Sequence, residues 1–203
     1  MTVNVDFIFD IGSPNVYLAH QVIPNIEERT GVKFNYIPVL LGGIFKSTNN
    51  QPPMMAMANV KGKFDYEMLE FRRFLKKHKI SNFKMNSAFP INCVLMQRCA
   101  VAAKARGELS PYFDAACKAS WVDDKDLGKA EILLDVINDA GLNGSAIIEA
   151  AATDEVKATL LNNTNAAIER GCFGAPTFYV GDEMFFGKNT LRDVEEEIFA
   201  QLK

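Results

Sequence analysis

Asp6-Phe-Ile-Phe-Asp-Ile-Gly-Ser13-Pro14-Asn-Val-Tyr17-Leu-Ala19 decides the fold, because an apolar strand there runs through a glycine turn directly into a helix. Val3, Val5, Phe7 and Phe9 alternate with Thr2, Asn4, Asp6 and Ile8, which predicts a strand over residues 3–9 buried more heavily on one face. Ser13 supplies a side-chain oxygen for the unpaired amides of a first helical turn, and Pro14 loses nothing because its missing N–H would have had no partner. Taken alone, Ser-Pro reads as a helix start. A strand end, a tight turn and a helix N-terminus together also favour an anion, so chemistry is sought at this corner first.

Working outward, a helix is predicted from residue 14 to about 30, stopped by Gly31 and kinked at Pro24, which removes a hydrogen bond to His20. Residues 33–39 form a second strand, and strand, helix, strand makes a right-handed crossover with a parallel pair. From Leu40 to Pro53 the glycines, prolines and polar residues predict a loop of functional or mobile character. Helical patterns follow near 63–78, 91–106, 110–120, 127–140, 145–152 and 154–170, with Gly107, Gly141 and Gly171 as stops. The Leu69, Phe71, Phe74, Leu75 stripe and Trp121 read as core. Residues 177–180, a Gly181-Asp182 turn and residues 183–186 predict a β-hairpin, after which Thr190 caps a last helix over 191–202. Residues 1–40 and 172–203 are thus expected to form one α/β domain, and residues 41–171 an all-helical insertion.

Bulk properties bound the function. A chain of 203 residues, 48% of them apolar, can bury a real core. Its net charge of −3 provides no basic field for nucleic acid or an anionic membrane surface. The sequence enters a strand at once, without a signal-like leader, and carries no apolar run long enough for a bilayer, so a soluble cytoplasmic protein is expected. Cys93, Cys99, Cys117 and Cys172 have no metal-ligand spacing and no Cys-x-x-Cys, and read as reduced, buried apolar residues. A serine hydrolase fails on geometry, since His20 lies seven residues along the helix from Ser13, about 10 Å by rise alone. His78 reads as a solvated helix-end residue.

The opening segment together with Gly174-Ala175-Pro176-Thr177 resembles the thioredoxin-fold proteins of the DsbA type. There the same corner carries Cys-x-x-Cys; here it reads Ser13-Pro14-Asn15-Val16. Disulfide exchange needs one thiolate to attack and a second thiol to resolve, so dithiol redox catalysis at this corner is excluded. The resemblance sharpens over nearly the whole chain to the 2-hydroxychromene-2-carboxylate isomerase family, relatives of the kappa-class glutathione transferases. It is carried by Asp10-x-x-Ser13-Pro14-x-x-Tyr17-Leu18-Ala19; Gly43-Ile44-Phe45-Lys46 with Asn50 and Pro52-Pro53; Lys63-x-x-Tyr66 and Arg73-Phe74; Phe89-Pro90-x-Asn92; Ala119-x-Trp121; and Gly171-x-Phe173-Gly174-x-Pro176-Thr177-x-x-x-Gly181-x-x-x-Phe185-Phe186-Gly187. Each piece is weak and their order and spacing are specific.

This resemblance implies a thioredoxin-like α/β fold with a helical insertion, and a homodimer. It also implies a glutathione-dependent isomerase of an aromatic enone or chromene carboxylate, in aromatic catabolism. Ser13 would donate a hydrogen bond to the cofactor's thiolate, and Ala175, before a cis proline, would pair with its cysteinyl backbone. Phe186, Gly187, Lys188 and Asn189 would grip its γ-glutamyl end. Lys46, Asn50 and Asn92 would face the organic substrate. The match departs at Phe186 and Asn189, where the family usually has tryptophan and an aspartate that pairs with the cofactor's ammonium; losing that charge assistance weakens binding by ~1 kcal/mol. The alternatives are a kappa-type glutathione transferase or peroxidase, which consumes thiol, and a non-catalytic binding module on the same fold.

Overall fold

The computed structural model describes residues 3–203, and Thr2 of the expected alternation lies outside them. Four strands, β1 (Val5–Phe9), β2 (Phe34–Pro38), β3 (Thr177–Val180) and β4 (Glu183–Phe186), form one sheet in the order β2-β1-β3-β4. β1 runs parallel to β2, with Phe7 opposite Tyr36, and antiparallel to β3, with Phe7 opposite Phe178; β4 closes the hairpin with Thr177 opposite Phe186. Sequence-distant strands therefore meet on both sides of β1.

All five residues of β1 are buried, which corrects the expectation of one predominantly buried face. Phe7 and Phe9 pack into a cluster in which Phe7 stacks on Phe178 at 5.2 Å and Phe9 meets Phe113 edge-on at 4.7 Å. Ile8 faces the opposite side with Val39, Ile44, Ala167 and Cys172. Helices cover both faces, as the sequence periodicity of a single strand cannot reveal. Asp6 is buried and neutralised by Arg170 at 2.7 Å, with Asn35 donating at 2.9 Å.

The predicted helix over 14–30 is two helices, α1 (Pro14–His20) and α2 (Ile23–Thr30). Pro24 sits in the first turn of α2, where no amide partner is lost, so it starts a helix in place of kinking one. The segment predicted as a loop contains α3 (Leu41–Ser47) and α4 (Pro53–Met57). Gly42 and Gly43 lower helix propensity, but Asp10 binds the Leu41 N–H and Thr164 the Leu40 N–H, and these tertiary bonds decide the conformation. The remaining helices are α5 (Lys63–Lys77), α6 (Val94–Ala105), α7 (Leu109–Trp121), α8 (Ala130–Asp139), α9 (Gly144–Ala151), α10 (Asp154–Glu169) and α11 (Leu191–Gln201), all within a few residues of their predicted bounds. Phe71, Phe74 and Trp121 are buried as expected, whereas Leu69 is exposed. Thr190 stands at the α11 start without capping it by its side chain; its hydroxyl donates to the Gly187 carbonyl at 2.9 Å. Among the described residues no helix is long and apolar enough to cross a membrane.

Gln97 of α6 joins the helices to the sheet. It is fully buried; its amide nitrogen donates to the carbonyls of Phe9 at 3.0 Å and Val39 at 2.9 Å, and its oxygen accepts from the Ile11 N–H at 3.1 Å. Replacement Gln97→Leu keeps the volume and strands two buried backbone groups, the Ile11 N–H and the Val39 carbonyl, while the Phe9 carbonyl keeps the Val39 N–H at 3.0 Å. Chemical denaturation should show a loss of about 3 kcal/mol or more.

Candidate active site

The site begins where β1 stops. The Ser13 N–H donates to the Asp10 carbonyl at 2.9 Å, closing the turn that delivers Ser13 to the start of α1. Ser13 is the N-cap residue by position, but its hydroxyl caps no amide, contrary to expectation. It instead donates to the carbonyl of Ala175 at 3.3 Å. That bond links residues 162 apart in sequence and places the serine against the segment leading into β3. The Ala175–Pro176 peptide is cis, as expected, and so is Phe89–Pro90, which was not.

Two of the other expected cofactor residues, Phe186 and Gly187, meet the same segment. Gly187 donates its N–H to the Pro176 carbonyl at 2.9 Å and adopts a φ of +92° that suits glycine alone. Phe186 packs against Phe173, with ring centroids 4.4 Å apart, and its ring lies where a side chain at Gly174 would stand, 2.8 Å from a Cβ there. Phe186 thus forms an aromatic wall beside Ala175. Lys188 is buried and Asn189 exposed, and both line a cleft of about 440 Å3 between α2, α5 and α11.

Of the expected substrate residues, Asn50 donates to the Phe173 carbonyl at 2.8 Å, two residues before Ala175, and so reaches the site. Lys46 is exposed in the last turn of α3. Asn92 is exposed, but its side-chain oxygen accepts the Val94 N–H at 3.3 Å, which partly commits it to the start of α6. Its neighbour Cys93 does touch the site turn. Arg73 pairs with Glu70, and Arg98 has no ion-pair partner among the described residues.

Asp10 is the residue whose role the sequence did not disclose. Its fully buried carboxylate accepts the Gly12 N–H at 2.9 Å through Oδ1, and the Leu41 N–H at 2.9 Å and the Cys93 thiol at 3.1 Å through Oδ2. It therefore gathers the serine turn, the start of α3 and the Asn92-Cys93 segment. Burial raises its pKa above the usual carboxylate range, with the three donors pulling the other way. Trp121 adds a further hold, donating from Nε1 to the Ile11 carbonyl at 2.9 Å. Gln97 and Trp121 lie in patterns that read simply as helix and core.

No resident thiolate stands ready. Burial pushes up all four cysteines, Cys99 to about 12, and Cys93 is raised further by Asp10. His20 is held by Tyr36 at 2.8 Å and Asp114 at 2.7 Å, away from Ser13. What the corner offers is a hydroxyl donor set against a peptide carbonyl, with an aromatic wall beside them.

A four-stranded sheet with this order, a serine at the strand-to-helix corner and a facing cis proline define a thioredoxin-fold protein without the redox pair. The family model for the DSBA-like thioredoxin domain matches residues 4–199, and the chain belongs to that family. It is similar to a 2-hydroxychromene-2-carboxylate isomerase of Sphingobium xenophagum, 26% identical over 200 residues that cover 96% of this chain and 97% of that protein. It is also similar to glutathione S-transferase kappa 1 of Rattus norvegicus, 25% identical over 186 residues covering 85% and 79% of the two chains. Among solved structures, a 2-hydroxychromene-2-carboxylate isomerase superposes with a TM-score of 0.83 at 24% identity, covering 98% of this chain and 95% of that one. DsbA of Pseudomonas aeruginosa gives 0.60 at 17% identity, covering 100% and 87%. The resemblance read from the motifs is thereby borne out, with the thioredoxin-like fold and its helical insertion.

The buried carboxyl carries a pH signature. Because the folded Asp10 holds its proton above the unfolded pKa of about 3.9, the folded state binds more protons in that interval, and stability falls as pH rises through it. Denaturation of the native protein from the usual carboxylate range upward should show this loss of stability. In Asp10→Asn that slope should vanish, with an overall loss of about 1–3 kcal/mol because the amide turns a donor toward the Gly12 or Leu41 N–H.

Proposed function

We propose that the chain is a glutathione-dependent isomerase of an aromatic enone or chromene carboxylate. The observation that carries this reading is the 3.3 Å bond from the Ser13 hydroxyl to the Ala175 carbonyl at a corner with no thiol of its own. A donor and a peptide edge face each other there, as binding an external cysteinyl group requires. The aromatic wall of Phe173 and Phe186 stands on the glycine that leaves room for it. Relatives of comparable similarity are named isomerases or glutathione transferases, which supports an enzyme of this kind.

Bound glutathione would supply a thiolate that adds to the conjugated enone and is expelled after rotation about the former double bond, so that no thiol is consumed. Ser13 would turn its hydroxyl from Ala175 to the sulfur. A hydrogen bond to a charged group contributes about 1.5–3 kcal/mol, and at about 1.36 kcal/mol per pKa unit this lowers a free thiol of about 8.5 enough for substantial ionisation at neutral pH. The start of α1, only about two turns long, adds less than ~1 kcal/mol. Ala175 would hold the cysteinyl backbone, and Phe186, Gly187, Lys188 and Asn189 the γ-glutamyl end. Lys46 would pair with the substrate's carboxylate, and Asn50 and Asn92 would hold its keto or phenolic oxygen.

In this reading residues 1–40 with 172–203 form the thiol-binding domain, and residues 41–171 the helical domain that supplies the substrate wall. The homodimer would cover the exposed apolar side chains of Met54, Met55, Phe64 and Tyr66 on α4 and α5.

In Ser13→Ala, ultraviolet titration of bound glutathione should place the thiol's ionisation about one to two units higher, with kcat/KM for an enone carboxylate down about 10- to 100-fold. An unchanged midpoint would remove Ser13 from this role. Lys46→Met should raise KM for the carboxylate substrate about tenfold and leave the thiol midpoint in place. Net loss of thiol during turnover would favour the transferase, which the kappa-class relatives make the second reading.

A further inference from the structure

Lys188 occupies an unusual position for a lysine. It lies in the short turn Lys188–Thr190, only 8% exposed, with its ammonium 5.5 Å from the ring centroids of both Phe71 and Phe74 on α5. It makes no ion pair or hydrogen bond among the described residues, and it opens on the cleft between α2, α5 and α11. Burial lowers its pKa from the ordinary lysine value, while Glu67 and Glu70 act in the opposite direction.

The charges around it are one-sided. The carboxylates lining the cleft are Glu70 and Glu195. Glu70 is taken by Arg73, and Glu195 is held by both nitrogens of the Arg29 fork at 2.5 and 2.9 Å. Lys77 and Arg192 line the same cleft, so its lining holds five cations and two acids, both already paired; Glu196 pairs with Arg192 and Glu67 acts on Lys188 from outside the lining. The turn itself, from Phe186 to Asn189, carries no acid. An incoming ammonium would find an excess of like charge and no unpaired carboxylate in the lining, whereas an incoming carboxylate would satisfy a buried lysine.

Taking the thiol reading above as its basis, the geometry points to recognition of the cofactor's distal end through its carboxylate alone, by Lys188, with the distal ammonium unrecognised. The preferred cofactor class is then a cysteinyl peptide whose far end is a plain anion. Gly187 makes the connection to the serine corner, because its N–H binds Pro176, next to Ala175.

The test is calorimetric titration of the full chain with glutathione and with its desamino analogue, glutaryl-cysteinyl-glycine, which keeps the thiol and the distal carboxylate and loses only the distal ammonium. The analogue is expected to bind as tightly as glutathione or up to about tenfold tighter. Lys188→Met should weaken both about tenfold, and Lys188→Arg should restore most of that. Glutathione binding with an analogue weaker by tenfold or more would overturn this inference and leave the glutathione reading standing. Binding of neither thiol would overturn both. Full-strength binding by a folded Lys188→Met protein would remove the lysine from the role, and the comparison of the two thiols on the native chain needs no variant.

Discussion

The backbone between Asp10 and Ser13 is the constraint on which the rest depends. A strand that ends inside a protein leaves amides and carbonyls without ladder partners, and here five of them are assigned elsewhere. Ile11 gives its N–H to Gln97 and receives Trp121 at its carbonyl; Gly12 gives its N–H to Asp10; Ser13 closes back on the Asp10 carbonyl. Two of these partners come from helices far along the chain. The serine's position is therefore a property of the helical layer as much as of the strand that carries it.

That division explains what could be read from the sequence. The strands, the turn and the helix starts declare themselves through alternation and punctuation, which are local signals, and the order and spacing of motif pieces over nearly the whole chain carried the family resemblance. Gln97 and Trp121 gave no such signal, because a glutamine in an apolar helix and a tryptophan at a helix end have many ordinary explanations. Their partners lie 86 and 110 residues away, beyond the reach of any window. Asp10 stood in the motif, yet its meeting with Cys93 and Leu41 depends on three segments arriving together.

The misread segment from Leu40 onward follows the same logic. Glycines and asparagines there weigh against helix by propensity, a contribution of about 1 kcal/mol per glycine. A buried carboxylate at Leu41 and a threonine hydroxyl at Leu40 outweigh it. The serine's silence as a cap has a related cause: a side chain turned to the Ala175 carbonyl points its oxygen away from the amides of its own helix. Local preference decided the element boundaries where no partner intervened and yielded where one did.

Arg170, at the end of α10, extends the consequence to mechanics. Its guanidinium sits 3.7 Å from the ring centre of Tyr179 and grips Asp6 near the start of β1, while Gln97 grips the carbonyl of Phe9 at the strand's other end. The helical layer is thus riveted to the central strand at both extremities, like a plate fastened along two edges. Such a plate transmits load between its fastenings and has no free edge about which to swing. The helices cannot swing away from the central strand without breaking a part-buried ion pair or a buried amide clamp, so the corner that follows the strand is held from both ends.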